Sequence, residues 1–150
     1  MTGRVGTEAA DAAGDAEQGV DFARQMWDDD QASRGLGMEA LLIEQDHAIV
    51  RMPVRADMVN GHDICHGGFV FTLADSTFAL ACNSRGWVTV ASGADITFTA
   101  PSRLGDVLVA EAAVRSAFGR SGLTDVTVKR ESDGQIIAEF RGRSRSLKRA

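Results

Sequence analysis

A chain of 150 residues with 44% hydrophobic content is long enough to bury one real core, and no break in composition marks a second domain. The net charge of −5 offers no cue for a nucleic-acid partner, and no run approaches the roughly 18 apolar residues of a membrane span. Two cysteines outside any Cys-x-x-Cys spacing suit a reducing compartment, and the N-terminus lacks the parts of a signal peptide, so a cytoplasmic protein is expected.

Residues 1–19, rich in Ala, Gly, Asp and Glu, have little bulk to pack and are expected to be a flexible tail, leaving residues 20–150 as the folded domain. Phe22, Ala23, Met26 and Trp27 then recur at helical spacing, and Asp28 to Asp30 with Gly35 and Gly37 close that short helix. Residues 37–44 and 47–54 are predicted strands joined tightly at Gln45 and Asp46. A loop over 57–68 leads into an apolar helix over 69–83 whose only charged side chain is Asp75. Beyond Gly86 the period becomes two, with Ala94, Ile96 and Phe98 opposed to Asp95, Thr97 and Thr99. Further strands are predicted over 106–118, 122–131 and 135–146, with Pro101, Gly105, Gly119 and Asp133-Gly134 at the turns. One long apolar helix followed by four successive strands implies an α+β fold, an antiparallel sheet wrapped around one central helix.

The start of that helix carries the chemistry. Unpaired N–H groups and the positive end of the helix dipole can hold a developing anion, and Gly67 and Gly68 present no side chain to block its approach. An oxyanion could rest on the Gly67 N–H; the bland alternative is a helix start that merely packs tightly. Asp75, among Phe71, Leu73, Ala74 and Phe78, is costly to bury without a partner or a task, unless it is wetted on the side of Thr72 and Ser76. It lies eight residues beyond Gly67, roughly 12 Å along the helix, so one helix cannot aim both groups at one carbonyl. Two such helices packed antiparallel across a two-fold axis can, which predicts an obligate dimer. His62 and His66 have the i, i+4 spacing of zinc ligands, with Asp63 and Cys65 between them, but the flanking glycines make a loop and no metal site is expected. Cys65 has no evident orienting group as a nucleophile, and no Gly-x-Ser-x-Gly elbow is present.

Asn60-Gly61-His62, Cys65-His66-Gly67-Gly68, Leu73-Ala74-Asp75, Phe78-Ala79 and Ala81-Cys82-Asn83-Ser84 resemble the PaaI family of hotdog-fold acyl-CoA thioesterases, closely in this segment and more loosely from about Val20 to Leu147. The resemblance implies a hotdog fold and hydrolysis of phenylacetyl-CoA or a ring-hydroxylated relative in phenylacetate breakdown. Coenzyme A is then part of the substrate, no further cofactor is needed, and the dimer is expected to assemble as a homotetramer. Asp75 would attack the thioester carbonyl or take a proton from the attacking water. His66 would either place the thioester or hydrogen-bond the loop backbone, and Asn60 would either orient the water or carbonyl or cap its own loop. Gly68 and Ser92 are weaker candidates for substrate contact. Residues 101–150 hold ten Lys or Arg against six acids, while residues 1–100 hold six against fifteen. From this basic third, Arg120, Arg141 and Arg143 are the expected phosphate contacts, with Arg103, Arg145 and Lys148 also available. The competing readings are a thioesterase for another aromatic or medium-chain acyl group, a hydratase, and a non-catalytic acyl-CoA-binding module.

Overall fold

The computed structural model describes residues 5–149, with side-chain surroundings from residue 8 to residue 147. Two helices, α1 (Val5–Asp28) and α2 (Gln31–Gly35), precede a hairpin of β1 (Glu39–Glu44) and β2 (His47–Pro53). A short 3-10 turn (Ala56–Met58) leads to the central helix α3 (Gly67–Asn83), followed by β3 (Trp87–Phe98), β4 (Val107–Phe118), β5 (Ser121–Arg130) and β6 (Ile136–Arg149). The strand boundaries read from alternation and turn residues are recovered closely, and the architecture is the expected α+β one.

The N-terminal expectation is corrected. The helix expected around Phe22 to Trp27 begins instead at Val5, with residues 1–4 outside the described residues. The stretch is dense in alanine, the strongest helix former, and continues the anchored turn of Ala23, Met26 and Trp27. No side chain of residues 8–22 is fully buried, so propensity and continuity form this helix rather than packing. At Gly19 the backbones meet: a Cβ there would strike the Ser84 carbonyl and Arg85. Helix α2 was also not anticipated; Asp30 caps it by accepting from the Ser33 N–H at 2.9 Å.

The six strands form one antiparallel sheet in the order β1-β2-β4-β5-β6-β3. Inward positions alternate strictly: Ala48, Val50 and Met52 on β2, Leu108, Ala110 and Ala112 on β4, Val126 and Val128 on β5, Ala138 and Phe140 on β6. Helix α3 buries Val70, Leu73, Ala74, Thr77, Phe78, Leu80 and Ala81 against them. At Gly142 the helix approaches the sheet closely, since a Cβ there would collide with the Phe78 ring. The helix end is tied to β3 by buried Asn83, which donates to the Thr89 carbonyl and accepts from the Thr89 N–H, both at 2.9 Å.

Two consequences position the site. Strand β3 forms one edge of the sheet, 12 residues long, with Trp87 and Val90 exposed. The N-terminus of α3 is held where two loops meet: the Cys65 N–H donates to the Ser102 carbonyl and the His66 N–H to the Met58 carbonyl, each at 2.7 Å.

Candidate active site

At the start of α3 the first N–H groups are treated differently. His66 is the N-cap, and its Nδ1 accepts from the Gly68 N–H at 2.9 Å. The Phe69 N–H donates to the His66 carbonyl at 3.0 Å. No acceptor among the described residues takes the Gly67 N–H. Acceptance at Nδ1 requires the neutral imidazole with its proton on Nε2. The capping bond thus uses the Gly68 N–H, which is withdrawn from substrate, and leaves Gly67 with the open donor.

Gly67 borders a cavity of about 410 Å³ whose walls include Asn60, Ile64, Val70, Phe98, Ser102 and Ile137. The Phe98 ring lies over Gly67, where a Cβ would come within 3.0 Å of its Cζ. Gly67 does not adopt positive φ, so glycine provides room beside the Phe98 ring here rather than a special conformation. Asn60 shares the cavity, but its Oδ1 serves the loop, accepting from the His62 N–H at 2.9 Å and the Ile64 N–H at 3.4 Å. Of its side chain only the amide nitrogen is left without a partner among the described residues.

Asp75 is half-buried one face away and does not border this cavity. No ion pair or hydrogen bond to it forms within the described residues, and its carboxyl is held above the usual range, first by burial and then by the nearby charge of Asp30. Asp30 is brought there by α2, whose Ser33 hydroxyl also meets that of Ser76 at 2.8 Å. The two groups that start the chemical reading are therefore both present and unpartnered, and lie apart within one chain.

The remaining site expectations are redistributed. Ser92 sits mid-strand on exposed β3, donating to the Arg143 carbonyl at 3.2 Å, away from the Gly67 cavity. Arg141 pairs with Asp125 at 2.6 and 2.9 Å, and Arg143 with Asp95 at 2.7 Å. Both lie on the outer face because, from Ala138 to Arg145, even-numbered residues of β6 are buried and odd-numbered ones are exposed. Arg120, at the β4–β5 turn, borders a different cavity of about 310 Å³ with Asp46, Cys82 and Trp87. None of these four reaches Gly67 in its own chain. The arginines that do lie beside the cavity loops are Arg103, whose guanidinium donates to the Asp63 carbonyl at 3.3 Å, and Arg130, which donates to the Pro101 carbonyl at 3.1 Å. Ser102 and Phe98 were missed as lining residues because their approach to Gly67 depends on the loop after β3, which no local spacing announces.

The cysteines do not behave as nucleophiles. Burial raises the Cys65 thiol above its ordinary pKa and pushes Cys82 up to about 12, so both stay protonated at neutral pH. His62 is exposed in the loop and His66 caps the helix; no three His, Cys, Asp or Glu converge to hold a metal among the described residues. No described helix is long and apolar enough to cross a membrane.

In sequence and in overall fold the chain matches known proteins. The family model described as the thioesterase superfamily matches residues 62–137. The acyl-coenzyme A thioesterase PaaI of Escherichia coli K12 is 39% identical over 125 residues, 83% of this chain and 89% of that protein. The solved structure of the E. coli PaaI protein from the phenylacetic acid degradation operon superposes with a TM-score of 0.86 at 36% identity, covering 90% of this chain and 97% of that one. That of smu.793 from Streptococcus mutans UA159, bound to acetyl CoA, superposes with a TM-score of 0.72 at 25% identity, covering 75% and 90%. The chain belongs to the thioesterase superfamily and, within it, to the hotdog-fold proteins of the PaaI kind.

Proposed function

We propose that the protein is an acyl-CoA thioesterase that hydrolyses aryl-acetyl thioesters of the phenylacetyl-CoA or hydroxyphenylacetyl-CoA type at a site shared by two chains. The observation that carries this reading is the unpaired Gly67 N–H at the N-terminus of α3, opening on a 410 Å³ cavity. The thioester oxygen rests on this donor as negative charge develops, and the helix dipole adds to it. His66 positions the donor by capping the same turn. The Asn60 amide nitrogen has no acceptor among the described residues and is available to water or the carbonyl.

The carboxylate comes from a second copy. Asp75 is half-buried and unpaired, roughly 12 Å along the helix from Gly67, a span that an antiparallel neighbouring helix closes. The long uncovered edge of β3, with Trp87 and Val90 exposed, supports pairing with a second copy, since such edges are otherwise aggregation hazards. Pairing of two such dimers into a homotetramer completes the reading. Asp75 then acts on the partner's substrate as nucleophile or as base for water; transfer of heavy oxygen from labelled water into the Asp75 carboxylate marks the anhydride route. Arg120, Arg141 and Arg143 stay as proposed phosphate contacts for a site shared between chains, with Arg103 added as the arginine beside the Gly67 cavity loop, and the reading takes no separate cofactor and a cytoplasmic setting.

The relatives named above support the reaction class, and the substrate preference follows the PaaI match. The test mixes two inactive variants, one altered at Gly67 and one at Asp75, after unfolding and joint refolding. Random pairing places one intact site on half of the dimers, so about a quarter of wild-type activity returns. No recovery from a verified mixed dimer places both groups in one chain and overturns the shared site. Rates on a panel of acyl-CoA thioesters check the substrate; a flat profile removes the aryl-acetyl preference.

A further inference from the structure

Asp30 and Ser76, which flank the Asp75 carboxyl from two different helices, are joined through a third residue, Ser33. The Asp30 N–H donates to the Trp27 carbonyl at 3.1 Å, and its carboxylate opens α2. Capping needs one carboxylate oxygen, and Oδ1 serves by accepting from the Ser33 N–H at 2.9 Å. The Ser33 hydroxyl donates in addition to Oδ2 at 2.5 Å. Ser33 is only 1% exposed, and its Oγ also lies 2.8 Å from that of Ser76, the residue after Asp75 on α3.

The direction of this chain follows from its protons. The Ser33 hydroxyl has one, already given to Asp30, so Ser76 is the donor in the bond between the two serines. Ser76 therefore keeps lone pairs but has no proton to offer its neighbour Asp75. Asp30 is the charged group whose field reaches Asp75 from α2; on α3 itself the Cys82 thiol, seven residues on along the same face, is kept protonated by burial. No cation from the other helices or from the strands pairs with Asp75 among the described residues. Two acids held together without a cation weaken a fold, yet suit a carboxylate that must take a proton, since a base works best when its pKa approaches the operating pH.

We propose that Ser33 is a positioning residue for the reaction: bonded at once to Asp30 and to Ser76, it clamps α2 onto the central helix and holds the Asp30 carboxylate beside Asp75. The proposal rests on the thioesterase reading above, in which Asp75 is the acting group, and adds the device that keeps that group basic. Ser33, almost wholly buried, meets no substrate.

The test uses the full chain with Ser33→Ala and with Ser76→Ala, which breaks the same bond from the half-buried side on α3; Ser76→Thr keeps the hydroxyl. Thiol release from phenylacetyl-CoA is followed across pH. Both alanine variants should move the acidic limb of kcat/KM to lower pH, and so gain activity relative to wild type in acid, with KM within about two-fold at neutral pH. Ser76→Thr should restore the limb. Asp30→Asn should move it less in the Ser33→Ala chain than in wild type. An equal shift in both chains, or an unmoved limb in both alanine variants with one loss of rate at every pH, makes Ser33 merely structural and overturns the proposal. A second readout needs no turnover: the excess melting temperature of Asp75→Asn over its parent at pH 7 reports the Asp75 charge and should shrink in the Ser33→Ala background. An excess equal in the two backgrounds defeats the clamp alone, whereas absence of wild-type turnover on every acyl-CoA tried defeats the thioesterase reading.

Discussion

Gly67→Ala separates the oxyanion reading from tight packing, because the structure makes the two effects differ in size. A Cβ on Gly67 would lie 3.0 Å from Phe98 Cζ and 3.4 Å from Cε1 and Cε2. Phe98 is 52% exposed, so its ring can yield by a few tenths of an ångström without disturbing the core. Gly67 has no positive φ, so alanine is compatible with the backbone and gains about 0.4–1 kcal/mol from the less flexible unfolded chain. The gain and the displaced ring nearly cancel. For a chain of 150 residues the melting temperature should move by less than about 2 °C. The new methyl group, however, stands beside the open N–H and shifts Phe98 over the cavity. A misplacement of about 1 Å at a reacting group reduces rate roughly 100-fold, and loss of an oxyanion donor reduces it 100- to 1,000-fold. The assay is initial release of free coenzyme A thiol from phenylacetyl-CoA, with calorimetry on the same sample. A stable variant that retains kcat/KM within about three-fold of wild type would refute Gly67 as the oxyanion donor.

Asp75→Asn should abolish turnover, by 1,000-fold or more, without loss of stability. The Asp75 carboxyl is raised by burial and then by Asp30, so its acid form favours the fold; that contribution is complete below the unfolded value of about 3.9 and is lost as pH rises through the folded one. Asparagine keeps the neutral shape, so this variant should melt above wild type at pH 7, with the gap closing below about pH 4; a lower melting point at pH 7 contradicts the assignment. The acidic limb of kcat/KM should lie above the ordinary carboxylate range, and Asp30→Asn, which still caps α2, should move that limb to lower pH. An unmoved limb assigns the titration to another group. His66→Ala should lower stability by about 1 kcal/mol, or 2–4 °C, through loss of the cap on the Gly68 N–H. His66→Asn, which can still cap, should restore both melting temperature and rate; recovery of stability without rate would give the imidazole a direct part in the chemistry.

Much of this architecture is local and therefore legible along the chain. Strict alternation on β2, on β5 and on β4 from Val107 to Ala112 reports one buried face, and turn residues such as Asp46, Gly119 and Gly134 take the positive φ their positions require. The glycine-opened start of α3 and its single acid are equally local, since composition on a helix sets both the free donors and the cost of burying Asp75. Where composition misled was the N-terminus: small residues were read as too light to pack, but an alanine-rich segment forms α1 by propensity with almost no burial.

Tertiary structure alone decided which arginines lie near the cavity, because strand parity and register turned Arg141 and Arg143 outward onto Asp125 and Asp95. It also brought Phe98 and Ser102 across some thirty residues of chain to Gly67, and Asp30 to Asp75, contacts made by loops and a short helix with no periodic signature. A sequence therefore specifies which faces are apolar and where N–H groups are free, since those depend on neighbours within a turn or two. Which side chains share a cavity depends on register and loop closure, and only the assembled sheet and helix fix those.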